Sequence, residues 1–83
     1  MKETKPDATI DIRDLIAPIT LLKVEARLST MKPGQVLEIL CSDPETRTDL
    51  TQIVEKSGHR CISLTGEPGH FRLLVEKTRF PVG

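Results

Sequence analysis

The stretch Val36-Leu37-Glu38-Ile39-Leu40-Cys41-Ser42-Asp43-Pro44-Glu45 sets the frame for the whole chain. Its first six residues put Leu37, Ile39 and Cys41 on one side and Val36, Glu38 and Leu40 on the other, the period of two that a β-strand imposes. Asp43 and Pro44 follow at once: a carboxylate suited to capping free N–H groups, then a residue with no N–H to lose at a first helical position. Glu45 adds a negative charge where the helix dipole is positive. A strand therefore runs directly into a helix here.

Upstream, Lys32-Pro33-Gly34 carries the breakers that end a preceding helix. That helix is expected to start near Ala17, with Pro18 in its first position. Leu21, Val24, Leu28 and Met31 form its apolar stripe, which Leu22 and Ala26 widen. Before it, Thr9 to Arg13 alternates, with Ile10 and Ile12 on one face, as in a half-buried strand. Downstream, Leu50, Ile53 and Val54 give the second helix its apolar side, and Gly58 stops it. Ile62 and Leu64, then Phe71, Leu73 and Val75, alternate on either side of Gly66-Glu67-Pro68-Gly69, a hairpin in which Thr65 should oppose His70.

The order is strand, helix, strand, helix, strand, strand. A right-handed βαβ start makes the first two strands parallel, and the hairpin adds an antiparallel pair. The expected fold is an α/β (α+β) two-layer sandwich, βαβαββ, with two helices on one face of a four-stranded mixed sheet. One domain spans residues 9–77, with 1–8 and 79–83 expected to be flexible termini.

The chain has 83 residues, enough for one core but not two. Hydrophobic residues make up 37% and charged residues 29%, which suits a globular domain rather than a disordered one. Twelve Lys and Arg balance twelve Asp and Glu, so no net charge draws the chain to phosphate backbones or anionic lipid. Phe71 and Phe80 are the only aromatic residues of the Phe, Tyr and Trp class, too few for a base-stacking platform. Nucleic acid is thus not an expected partner. The longest apolar run, Leu15 to Ile19, contains Pro18 and falls far short of the roughly 20 residues of a membrane span. With no signal-peptide pattern at Met1 to Asp7, the cytoplasm is the expected location.

Asp11-Ile12-Arg13-Asp14-Leu15, followed by Ala17-Pro18, resembles the D-x-R-x-L-x-C-P signature of the TusA/SirA-like sulfur-carrier family. Lys32-Pro33-Gly34, Ser42-Asp43-Pro44, Asp49-Leu50 and Gly58-His59 match later landmarks of that family in order and spacing. The resemblance implies the same βαβαββ sandwich and a setting in sulfur relay. It also implies a cysteine that carries sulfane sulfur as a persulfide, but Ala17 stands at that position and Thr20 at the second proline of the family's C-P-x-P. An alanine methyl cannot hold sulfur, so the resemblance to a sulfurtransferase fails at its catalytic position. The scaffold of the family site remains in Asp11, Arg13, Ala17, Pro18, Asp43 and Asp49.

Two functions follow from these residues. One is a non-catalytic, partner-binding or regulatory paralogue that meets another sulfur-relay protein or sulfurtransferase. The other is a carrier whose persulfide has moved to Cys41, which lies just before the Asp43 cap and hence near a helix N-terminus. Against the second stands the face Cys41 shares with Leu37 and Ile39, the setting of an inert core thiol. Cys61 is expected mid-strand on the face opposite Ile62 and Leu64, unpaired with Cys41. His59 and Cys61 make only half of a tetrahedral metal site, and His59 is better placed as a cation closing the second helix. Neither a metal nor another cofactor is implied. Val36, Leu40, Cys61 and Leu74, interspersed with Glu38, Ser63, Arg72 and Glu76, are expected on the open sheet face, where a homodimer could form.

Overall fold

Strand β2, Val36–Cys41, is the centre from which the rest of the structure is built. In this computed structural model residues 5–13, 15–16, 18–67 and 69–78 are described. The element order is β1 (Ala8–Asp11), α1 (Ile19–Ser29), β2, α2 (Pro44–Lys56), β3 (Arg60–Glu67) and β4 (His70–Glu76). The sheet order is β1-β2-β4-β3, with β1 parallel to β2 and the other neighbours antiparallel. Leu37, Ile39 and Cys41 of β2 point with Phe71, Leu73 and Val75 of β4 into one core, where Val24 and Leu28 of α1 and Leu50 and Val54 of α2 cover them. This is the expected two-layer α+β sandwich with a mixed four-stranded sheet.

Local chemistry sets the element ends. Strand β1 stops at Asp11, short of the expected Arg13, because the Arg13 N–H donates to Asp11 Oδ1 (3.1 Å) instead of continuing the ladder. Ile12 still donates to Leu40 O (2.9 Å) and is buried in the core. Helix α1 starts at Ile19, with Pro18 as its cap residue, not its first turn: the Leu22 N–H reaches back to Pro18 O at 3.2 Å. Its buried side is Thr20, Val24 and Leu28, so Leu22 and Ala26 do not widen the stripe but face solvent. Helix α2 begins as read, with Asp43 Oδ2 accepting from the Thr46 N–H at 2.9 Å and Pro44 next to it.

The hairpin is tighter than expected. Glu67 opposes His70 and Gly66 opposes Phe71, so Thr65 meets Arg72 rather than His70. Gly66 makes this possible: it sits inside β3 at φ +106°, and a Cβ there would overlap the His70 carbonyl oxygen. A register shift between Cys61 and Ser63 then changes the facing of β3. Cys61 opposes Val75 and lies on the helix side, not on the open face, while Ser63 opposes Leu74.

The open face is largely closed by its own polar side chains. Arg72 bonds Glu38, which also accepts from Thr9 Oγ1 (2.9 Å), and Arg60 pairs with Glu76 at 3.7 Å. Beneath them Val36 and Leu74 are buried. His59 differs from its expected role as a helix-closing cation. Its Nδ1 accepts from the Thr78 N–H (3.2 Å), and burial, followed by the charge of Lys77, holds the ring below the ordinary imidazole range. It is a neutral acceptor that ties the end of α2 to the chain after β4.

Gly66→Ala should cost about 3 kcal/mol or more in urea unfolding, since both φ and the His70 carbonyl forbid a side chain. Gly34→Ala, at φ +91° with open space around it, should cost only about 1–2 kcal/mol.

Candidate functional site

Because β1 and β2 run parallel, both feed their helices from the same end of the sheet. The starts of α1 and α2 are therefore neighbours, and the loops before them form one rim. Ser42 Oγ donates to Arg13 O (2.7 Å) and fastens the two loops together. Asp11 grips Arg13 through Nε (2.9 Å) and Nη2 (2.7 Å). The Arg13 side chain, with its backbone N–H second, holds the Asp11 carboxyl down at about 2. This pair is exposed, so its role is to set loop shape rather than to stabilise the fold.

The rim encloses an open cleft of about 420 Å³. Arg13, Leu15 and Ile16 line one wall, and Asp43, Glu45 and Asp49 the other. Asp11 and Arg13 are thus brought together, Pro18 stands at the start of α1 without a side-chain capping bond while Asp43 caps α2, and Asp49 stands across the cleft outside that pair. Ala17 lies outside the described residues.

Cys41 closes the floor of this end rather than its mouth. It is 1% exposed and stands directly opposite Phe71 on β4, itself buried. The Arg47 guanidinium lies 4.7 Å from the centroid of the Phe71 ring. Burial pushes the Cys41 thiol up, with Asp43 adding to the rise and Arg47 opposing it. Proximity to a helix N-terminus does not overcome that burial. Cys61 is half-buried, four β4 positions from Cys41 along the sheet, and its thiol is also raised by burial. Both cysteines are free. Among the described residues, no three His, Cys, Asp or Glu side chains converge as metal ligands.

Three features of this end were not read from the sequence. Ile16, Ile19 and Leu22 are 75%, 47% and 61% exposed, an apolar ridge beside the cleft. Its signal was the three-residue spacing, hidden once Leu22 was assigned to the core. Arg47 stacks on Phe71, a contact between elements that no spacing announces. Thr20 is fully buried, and its hydroxyl finds no hydrogen-bond partner among the described residues.

Residues 8–77 match the family described as Sulfurtransferase TusA. The chain belongs to the TusA family. It is 28% identical over 72 residues to the sulfur carrier protein TusA of Allochromatium vinosum, covering 87% of this chain and 95% of the relative. The sulfur carrier protein TusA of Pseudomonas putida (strain GB-1) is 25% identical over 77 residues, 93% of this chain and 96% of the relative. The crystal structure of the SirA-like protein from Desulfitobacterium hafniense superposes with a TM-score of 0.74, covering 87% of this chain and 99% of that one. At 19% identity that likeness speaks for the fold alone. Among the described residues of this TusA-family chain, no helix is long and apolar enough to cross a membrane.

Thr20→Val should raise stability by about 1 kcal/mol in denaturant titration, because it removes a buried hydroxyl that lacks a partner while keeping the shape. A loss of similar size would show that the hydroxyl is satisfied in solution.

Proposed function

We propose that this chain is a non-catalytic member of the sulfur-carrier family that binds another sulfur-relay protein or a sulfurtransferase and regulates or scaffolds it. The observation that carries this reading is the pairing of a sealed thiol with an open docking ridge at one end of the sandwich. Cys41 is 1% exposed, while Ile16 and Leu22, at the neighbouring helix start, are 75% and 61% exposed. Exposed side chains of that size in a group favour an interface over open solvent. The sequence puts Ala17 where the family carries its sulfur, so a partner could dock without receiving or giving up a sulfur atom.

The rim supports a partner with complementary charge. Asp43, Glu45 and Asp49 line the cleft beside the ridge, so a basic segment flanking an apolar one fits this end. Less supports a homodimer through the open sheet face, whose Val36 and Leu74 are already covered and whose charges pair within the chain. A reducing compartment such as the cytoplasm suits two free thiols.

The test is intact mass after incubation with a persulfide donor. The unaltered chain should take up no thiol-reversible sulfur, and Ala17→Cys should gain about one sulfur mass. Uptake by the unaltered chain that vanishes in Cys41→Ser would establish the displaced carrier instead. In a competition assay the chain should slow sulfur transfer from a sulfurtransferase to a cysteine-bearing carrier, and Leu22→Lys should weaken that effect about tenfold.

A further inference from the structure

A second concave site lies at the end of the sandwich opposite Cys41, between the C-terminal turns of α1 and α2. It is a groove of about 260 Å³, floored by Val24 and Leu28 of α1 and Ile53 and Val54 of α2. His59 and Lys77 line it as well. At about 30 Å³ for a water-sized group, it holds roughly eight or nine non-hydrogen atoms. An apolar floor with a few converging polar groups is the usual form of a small-molecule site.

The polar groups define what can bind. The His59 Nδ1 is already occupied, since it accepts from the Thr78 N–H at 3.2 Å. The neutral ring therefore carries its proton on Nε2, whose N–H is left to donate. Lys77 Nζ gives one hydrogen to Leu28 O at 2.5 Å and keeps two more. Neither His59 Nε2 nor Lys77 Nζ can accept a hydrogen bond. A ligand that engages both of these donors supplies an acceptor, and the ammonium charge favours an anionic one.

Both donors are held in place before any ligand arrives. The Thr78 hydroxyl donates to Gly58 O at 2.6 Å, which fixes the segment beside His59. The Gly34 N–H donates to Lys77 O and the Lys77 N–H to Gln35 O, each at 2.8 Å, which fixes the lysine backbone. Glu25 lines the same groove and is exposed; its repulsion works against any anion, so the single Lys77 charge offsets one carboxylate better than two.

We infer that this groove binds a small monocarboxylate, its short apolar tail on Val24, Leu28, Ile53 and Val54 and its carboxylate on Lys77 Nζ and His59 Nε2. The site is separate from the cleft at the helix N-termini and does not depend on the partner-binding reading.

Nuclear magnetic resonance titration with hexanoate tests it, with hexylammonium as the charge-reversed control. Hexanoate should shift signals of Leu28, Val54, Ser57 and His59 saturably, with a Kd on the order of 1 mM, the scale for a ligand of eight heavy atoms. Lys77→Met, which keeps the methylene stem, should weaken binding about tenfold, and Glu25→Gln should tighten it about twofold. Hexylammonium should leave these signals in place. Shifts that do not saturate, an equal response to hexylammonium, or unchanged affinity in Glu25→Gln and a folded Lys77→Met would each overturn the assignment.

Discussion

The parallel pairing of β1 with β2, from Ala8 against Leu37 to Asp11 against Leu40, is the constraint on which the rest of the molecule depends. Two parallel neighbours need a crossover helix, and a right-handed crossover lays α1 on the core face of the sheet. The same pairing brings the ends of β1 and β2 side by side, so that both helices begin at one rim. At such a rim, free N–H groups and positive helix ends favour a thiolate. In this chain the Asp11–Arg13 pair, the Ser42 bond to Arg13 O and the Asp43 cap hold the rim. The chain has no cysteine at position 17.

The same register governs the remaining thiol. Alternation along β2 sends Cys41 to the side of Leu37 and Ile39, and the antiparallel partner places Phe71 directly across from it. A residue can lie close to a helix N-terminus in sequence and still be shut away from it by the pleat. At Cys41 burial outweighs the favourable charge of Arg47, so the thiol titrates above its ordinary range. Reactivity here is decided by which face of the strand the side chain takes, not by the distance to the helix start.

Much of this was legible in the residues. Strand β2 and helix α2 were read with their boundaries, because Asp43-Pro44 fixes a helix start chemically and the alternation of residues 36–41 is unbroken. Helix α1 was less clear, since Leu21 and Leu22 both fit a 3.6-residue stripe, and only packing decides that Thr20 turns inward and Leu22 outward. The facing of Cys61 was misread because a bulge adds a residue without any change in composition, and Ile62 falls within that register shift. The hairpin register depended on Gly66 entering the strand at positive φ, where a turn glycine was the simpler reading. His59 was read as a cation from its place after a helix, but the acceptor role comes from Thr78, a residue nineteen positions away.

In the proposed partner-binding role the thiol nearest the helix starts, Cys41, stays sealed in the core, and the most direct measurement is the alkylation rate of each cysteine with iodoacetamide, followed by peptide mass. In the native protein Cys41 should react at least roughly a hundredfold more slowly than in urea, because only an opening of the core exposes it. Half-buried Cys61 should react before it. Native labelling of Cys41 within about tenfold of the unfolded rate would contradict the account and return the sulfur to this chain.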